Sequence, residues 1–323
     1  MNNEKDSKRF QVEISRDIVY GSGAVGSQEG IASRDLKLDL YQPVIGDGAR
    51  RLPALVLAFG GAFHRGTKED DTFGNPPDRN NSIAWYCHEF ARRGYVACSI
   101  DYRLVPEDPR PGNTPVVSDP ANIPRSRVDE VRKIMNLPKA SDDLLWRGVE
   151  AASDDMAQAV RYVKAHADAW HVDPGKIAIG GFSAGARTAL NVALGEREPV
   201  AAVVALSGYM HASDLERHIA SGRSFPPLLL IHAEHDLEYV SSGHPHMVKR
   251  LRELGLHCES VEVPGATHFY PAHASARHDA YGSTTVEEAM AKFLSDAFSV
   301  GSADQRTDGA GTISIQLGRL PTA

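Results

Sequence analysis

A serine hydroxyl is a poor nucleophile at neutral pH. It becomes a good one when an imidazole takes its proton and a carboxylate holds that imidazole in one tautomer. This chain carries the three residue types in an order that suits those roles. Ser183 lies within Gly181-Phe182-Ser183-Ala184-Gly185, Asp236 closes Leu228-Leu229-Leu230-Ile231-His232-Ala233-Glu234-His235-Asp236, and His268 follows Val263-Pro264-Gly265-Ala266-Thr267. As a bare pattern Gly-x-Ser-x-Gly is weak, and its setting gives it meaning. Lys176-Ile177-Ala178-Ile179-Gly180 before it reads as a buried strand, and Ala186 to Leu194 after it as a helix closed by Gly195. A serine on so tight a strand-to-helix turn stands exposed above the sheet edge, over the positive end of a helix. The competing reading is an ordinary glycine-rich turn.

The tetrahedral intermediate of such chemistry needs backbone donors aimed at its oxyanion, each worth roughly 3–4 kcal/mol when lost. Ala58-Phe59-Gly60-Gly61-Ala62-Phe63 follows an apolar run, and its small residues let main chain approach a substrate. Gly61, Ala62 and Ala184 are the candidate donors. Phe63, His64, Trp85, Tyr86 and Trp146 are candidate pocket walls, with core or surface as the plain alternative for each. Glu234 is a rival to Asp236 as the orienting carboxylate, and Glu238 a weaker one. The groups His232, His235, Asp236 and His244, His246 supply no closed zinc constellation, so neither metal nor cofactor is expected.

The elements that must position these residues follow from the periodicity. Gln11 to Tyr20 and Asp35 to Tyr41 alternate apolar and polar residues and read as half-exposed, antiparallel strands. The glycine-rich stretch Gly21 to Gly30 between them lacks the following helix of a phosphate loop and reads as a turn. Leu52 to Phe59, Tyr95 to Tyr102, Lys176 to Gly180, Val200 to Ser207, Pro227 to Ala233 and Cys258 to Val263 read as strands. Asn81 to Arg93, Arg147 to Trp170, Pro245 to Leu254 and Thr285 to Phe298 read as helices. In the second of these, Val149, Ala152, Met156, Ala159, Val160 and Val163 share one face. Apolar strands alternating with helices predict an α/β fold with a mostly parallel sheet covered on both faces. Pro106 to Trp146 breaks the rhythm with seven prolines and a mixed-charge stretch. It reads as a cap over the strand ends.

With 323 residues, 42% of them hydrophobic, and no mid-chain linker or repeat, one large domain over residues 11–298 is expected. A net charge of −7 without a basic stripe argues against nucleic acid as a partner. Cys87, Cys98 and Cys258 lack Cys-x-x-Cys spacing and suit reduced, buried thiols in a cytoplasmic protein. The polar first residues (1–10) carry no apolar signal core, and no stretch approaches the ~20 apolar residues that cross a membrane. Residues 299–323 are Gly/Thr/Ser-rich with an alternation at Ile313 to Leu317. That tail is expected to be flexible or to lend a strand to a neighbour, which makes a homodimer a candidate assembly.

From Asp35 to Phe298 the chain resembles the α/β-hydrolase superfamily, in particular the esterase/lipase group that includes hormone-sensitive lipase and bacterial feruloyl and acetyl esterases. The resemblance rests on Leu38-Asp39-Leu40-Tyr41-Gln42-Pro43, Gly60-Gly61, Asp101-Tyr102-Arg103-Leu104-Val105-Pro106-Glu107, the Ser183 pentapeptide, Asp236 and His268. It implies that Asp101 and Arg103 brace the oxyanion loop. Two departures stand out. Phe59 replaces the histidine that usually precedes the glycines and buttresses that loop, and Arg187 enters the helix after the serine, where it would meet an acidic residue or an anionic substrate. The expected function is a serine carboxylic-ester hydrolase acting on a small to medium ester. The alternatives are an amide-cleaving relative, such as an arylformamidase or small peptidase, and a non-catalytic receptor on the same scaffold. Because the donors and triad lie outside residues 106–146, the cap is expected to matter for bulky esters and not for small acetyl esters.

Overall fold

The computed structural model describes residues 9–300, except 27–29, 47, 113 and 220–223. The Ile313 to Leu317 alternation and the first eight residues lie outside that range. In chain order the elements are β1 (Val12–Val25), β2 (Ala32–Pro43), β3 (Leu52–Ala58), α1 (Ile83–Arg92), β4 (Val96–Ile100), α2 (Arg125–Ile134), α3 (Asp142–Ala165), β5 (Val172–Phe182), α4 (Ala184–Leu190), β6 (Ala202–Leu206), α5 (Ala212–His218), β7 (Leu228–His235), α6 (Glu238–Glu253), β8 (Cys258–Thr267), β9 (Ser275–His278), β10 (Gly282–Thr285) and α7 (Val286–Val300).

One ten-stranded sheet runs β1-β2-β4-β3-β5-β6-β7-β8-β9-β10. The six central strands, β4 to β8 in that order, are parallel, and the pairs at either end are antiparallel. Every residue of β4 and β6 is buried, whichever way its side chain points. Both faces of the central sheet are therefore covered, which is why these strands read as unbroken apolar runs. Ser99 at the heart of β4 satisfies its hydroxyl by donating to the Lys68 carbonyl.

Several boundaries differ from expectation. The long helix begins at Asp142, and its N-cap Ser141 accepts from the Leu144 N–H, so the segment expected as a cap is shorter by about one helical turn. Pro245 lies inside α6 instead of opening it, and the helix starts at Glu238 directly after the β7 loop. The helix α2 and the short elements α5, β9 and β10 have no counterpart in the predicted set. Arg103 makes a fully buried bidentate pair with Asp155 of α3, with contacts of 2.7–3.0 Å, and donates to the Ala24 and Arg110 carbonyls. It ties α3 to the end of β1 and does not touch the loop at 60–63, contrary to the implied role.

Candidate active site

Ser183 sits at the turn between β5 and α4 with φ 54° and ψ −110°. Non-glycine residues rarely adopt that backbone, and here packing enforces it. A Cβ placed on Gly185 would lie 2.0 Å from the Ala58 carbonyl oxygen, so only glycine lets α4 pass the end of β3. The turn is also anchored from its own sheet, with the Ser183 N–H donating to the Leu206 carbonyl at 2.8 Å.

Asp236 and His268 arrive from the carboxyl ends of β7 and β8. Ser183 Oγ lies 2.9 Å from His268 Nε2, and His268 Nδ1 lies 2.6 Å from Asp236 Oδ1. The buried Asp236 carboxylate has further donors: the Leu237 N–H on Oδ1, and the Ser207 hydroxyl and Ala233 N–H on Oδ2, at 2.6–3.1 Å. Ser207 in turn accepts from the buried Tyr270 hydroxyl at 3.0 Å. Burial pushes the carboxyl up, but the bond from His268, its charge and the bond from Ser207 outweigh that, and Asp236 sits below the usual carboxylate range. An ionised Asp236 fixes the proton on Nδ1 and leaves Nε2 to accept from Ser183. Glu234 is exposed and accepts from the Gly265 N–H at 2.7 Å, and Glu238 is exposed on α6, so neither orients His268.

The loop after β3 has left-handed backbone at three successive residues: Gly61 (φ 119°), Ala62 (φ 56°) and Phe63 (φ 60°). His64 holds it twice. Its N–H donates to the Gly61 carbonyl at 3.1 Å, and its Nδ1 lies 2.6 Å from the Ala62 carbonyl. Arg132 of α2 reaches His64 Nε2 at 3.0 Å. A guanidinium can only donate, so Nε2 accepts and Nδ1–H points at Ala62. Burial first, and then Arg132, hold the imidazole below its usual range and hence neutral, although the Ala62 bond acts the other way. His64 thus buttresses the loop from its far end, where the usual preceding histidine is replaced by Phe59. The buried Asp71 accepts from the Gly60 and Ile83 N–H groups at 2.9 and 2.8 Å. The Tyr102 hydroxyl donates to the Phe59 carbonyl at 2.9 Å, and the Val105 N–H donates to the Phe63 carbonyl at 2.8 Å. The 101–107 stretch therefore does hold the loop, through Tyr102 and Val105, and through Asp101, which accepts from the Lys68 N–H.

A cavity opens over Ser183, bordered by Ala62, Phe63 and Ala184 on the loop and elbow side, by Ile123, Pro124, Arg127 and Val128 from the cap, and by Tyr209 and Tyr239. The cavity volume is about 60 Å³. Gly61 does not line it. Of the candidate wall residues only Phe63 does. His64 lies behind the loop, Trp85 is exposed on α1, Tyr86 faces the core beside it, and Trp146 packs against the core from α3. Helical phase decides the α1 residues: Ile83, Cys87 and Phe90 take the sheet face, leaving Trp85 outside. Arg187 borders the cavity but is consumed by Asp214 (2.6 Å), Asn191 and the Tyr209 carbonyl. It pairs with an acid, one of the two expected outcomes. Ser207, Tyr270 and Arg132 were not among the candidates. Ser207 ends a predicted strand on the active edge, a signal that could have found it. Nothing in the sequence marks Arg132 as a neighbour of His64.

The histidine groups weighed as metal ligands do not gather one. His232 and His244 stack ring on ring at 3.8 Å, and His244 bonds Ser260. Among the described residues the one carboxylate group close enough to hold an ion is Asp17, Asp39 and Glu69, and the Lys68 ammonium already contacts all three.

The BD-FAE family model matches residues 147–221, which run from within α3 through the Ser183 turn and β6 to just past α5. No curated protein matches the sequence. Among solved structures the chain is similar to Thermogutta terrifontis esterase 2 phosphorylated by paraoxon, with 20% identity, 94% of this chain and 97% of that one covered, and a TM-score of 0.55. The same esterase phosphoramylated by tabun aligns with a TM-score of 0.53 at 20% identity, covering 94% and 98%. The propionate-bound form aligns with a TM-score of 0.51 at 20% identity, covering 96% and 100%. These likenesses show that the chain has the α/β-hydrolase fold.

Proposed function

We propose that this chain is a serine carboxylic-ester hydrolase that works through an acyl-enzyme. Ser183 attacks the ester carbonyl while His268 takes its proton, and His268 then returns that proton to the leaving alcohol. Asp236 stabilises the imidazolium formed on the way and does not itself take the proton. The backbone N–H groups of Ala62 and Ala184, residues that border the cavity, receive the oxyanion. A water then repeats the sequence with His268 as base and frees the acid. The observation that carries this reading is the unbroken chain Ser183 Oγ–His268–Asp236 at 2.9 and 2.6 Å, on a serine held at φ 54° beside the cavity. The match to the BD-FAE model and the likeness to an esterase that paraoxon and tabun modify support it. The small free volume favours short acyl groups. A cytoplasmic setting is part of the proposal, supported by three buried free thiols; among the described residues no helix is long and apolar enough to cross a membrane.

The direct kinetic test is Ser183→Ala with 4-nitrophenyl acetate. The expected result is a loss of about 10³-fold or more in kcat with the fold intact. A folded variant that keeps most of its activity would sink the proposal. Faster turnover of a formamide or peptide than of the matched ester would move the assignment to the amide-cleaving relatives.

A further inference from the structure

Arg65 and Arg127 form a positively charged rim beside the proposed catalytic centre. Arg65 follows the loop held by His64, and its guanidinium carbon lies 4.6 Å from the centre of the Phe73 ring. Arg127, from the first turn of α2, borders the cavity over Ser183 and lies 5.4 Å from the centre of the Phe269 ring. The two phenylalanine rings are 6.0 Å apart, so both guanidiniums stand over one aromatic pair. Phe269 follows His268 directly, with ring centres 5.1 Å apart.

Charge is not balanced there. Arg127 donates to Glu130 at 2.6 Å, and that carboxylate is 56% exposed. Arg65 makes no ion pair among the described residues, and its Nε is buried without a hydrogen-bond partner. Burial first, and then repulsion from Arg127, hold the Arg65 guanidinium below its usual range, with Glu130 offsetting part of the effect. Two guanidiniums with one solvated counter-charge suit a planar oxyanion, which each can bind through paired N–H groups.

We propose that Arg65 and Arg127 bind a carboxylate on the substrate, so that the preferred substrates are short-chain acyl esters of a hydroxy acid. This deepens the esterase reading and rests on it. The placement decides which half of the ester carries the charge. His268 returns its proton to the leaving alcohol, and the rim lies over the residue next to His268. The small cavity against Ala62, Phe63 and Ala184 is left for the acyl group.

The test compares 4-acetoxybenzoate with its methyl ester, which share acyl group and ring and differ in charge. kcat/KM is measured on both for the wild-type protein, Arg65→Gln, Arg127→Gln and Arg65→Lys. The ratio of anionic to neutral substrate cancels general damage to the catalytic machinery. The wild-type ratio should be tenfold or more, shrink as salt rises, and fall about tenfold in each glutamine variant, with Arg65→Lys between. A wild-type ratio near one, a salt-independent ratio, or a ratio unmoved by both glutamine changes would overturn the proposal. Cleavage of the methyl ester alone would remove the rim and leave the esterase reading standing. Cleavage of neither ester by wild-type protein would take both down.

Discussion

At the scale of single residues, the account turns on which proton sits where. Asp236 accepts four hydrogen bonds, one of them from His268 Nδ1, and that set fixes the tautomer in which Nε2 faces Ser183. Asp236→Asn should keep the fold, present the wrong tautomer and cost on the order of 10⁴ in kcat. Glu234→Gln should cost far less, because Glu234 only ties the Gly265 N–H. The reverse ranking would mean that the wrong carboxylate has been named. Ser183, Asp236 and His268 were legible in the sequence because each follows the end of an apolar strand, where a parallel sheet gathers its reactive side chains. His64 was legible only as a pocket residue. Its role comes from contacts with Ala62 on one side and Arg132 on the other, and no periodicity encodes a partner 68 positions away.

At the scale of elements, the cap segment is tied into the oxyanion loop, which changes what its removal should do. Arg132 of α2 donates to His64, and His64 holds the Ala62 carbonyl, so α2 supports the loop that would receive the oxyanion. Replacing Val117 to Lys139 by a Gly/Ser link should therefore lower kcat on acetyl and longer esters alike. Arg132→Met should do the same within an intact cap, by about tenfold to 10²-fold, since small misplacements of a reacting geometry are costly. Losses confined to long-chain esters would show that the cap only selects size, as the sequence alone suggested. Sequence reading placed the buried strands well because β4 and β6 are buried on both faces and almost wholly apolar. It missed α2, which lies in the proline-rich, mixed-charge segment, and α5, β9 and β10, which at seven, four and four residues are too short to show a period. Proline favours the first turn of a helix, which puts the expected start of α6 at Pro245, whereas Pro245 sits in mid-helix. The Arg103–Asp155 pair joins α3 to the strands beneath it. Arg103→Ala should destabilise the protein by about 3–5 kcal/mol in urea melts, because it leaves Asp155 buried and unpaired. A change below about 1 kcal/mol would contradict that role.

At the scale of the whole molecule, the half-buried Glu196, outside the proposed site, should shape the response of stability to pH. Burial first, and then the neighbouring Asp154, push Glu196 up to about 8, and its Oε1 has no hydrogen-bond partner among the described residues. Its folded pKa lies above the unfolded value, so the native protein holds this proton longer. The contribution is fully present below about 4.5 and is lost as pH rises through about 8. Glu196→Gln should accordingly gain stability relative to wild type as pH climbs from 5 to about 9, read as a growing difference in Tm. A constant difference would contradict the shift. The ten-stranded sheet and its helices bring β5, β7 and β8 side by side with one intervening strand, and so deliver three residues from distant parts of the chain to one edge. The central claim is that this convergence makes Ser183 a nucleophile. It is tested most directly by treating the native protein with a fluorophosphonate and locating the adduct by peptide mass spectrometry. One equivalent should attach at Ser183, and the heat-unfolded protein and Asp236→Asn should react far more slowly. An adduct on another residue, or a native protein that stays unlabelled, would contradict the account.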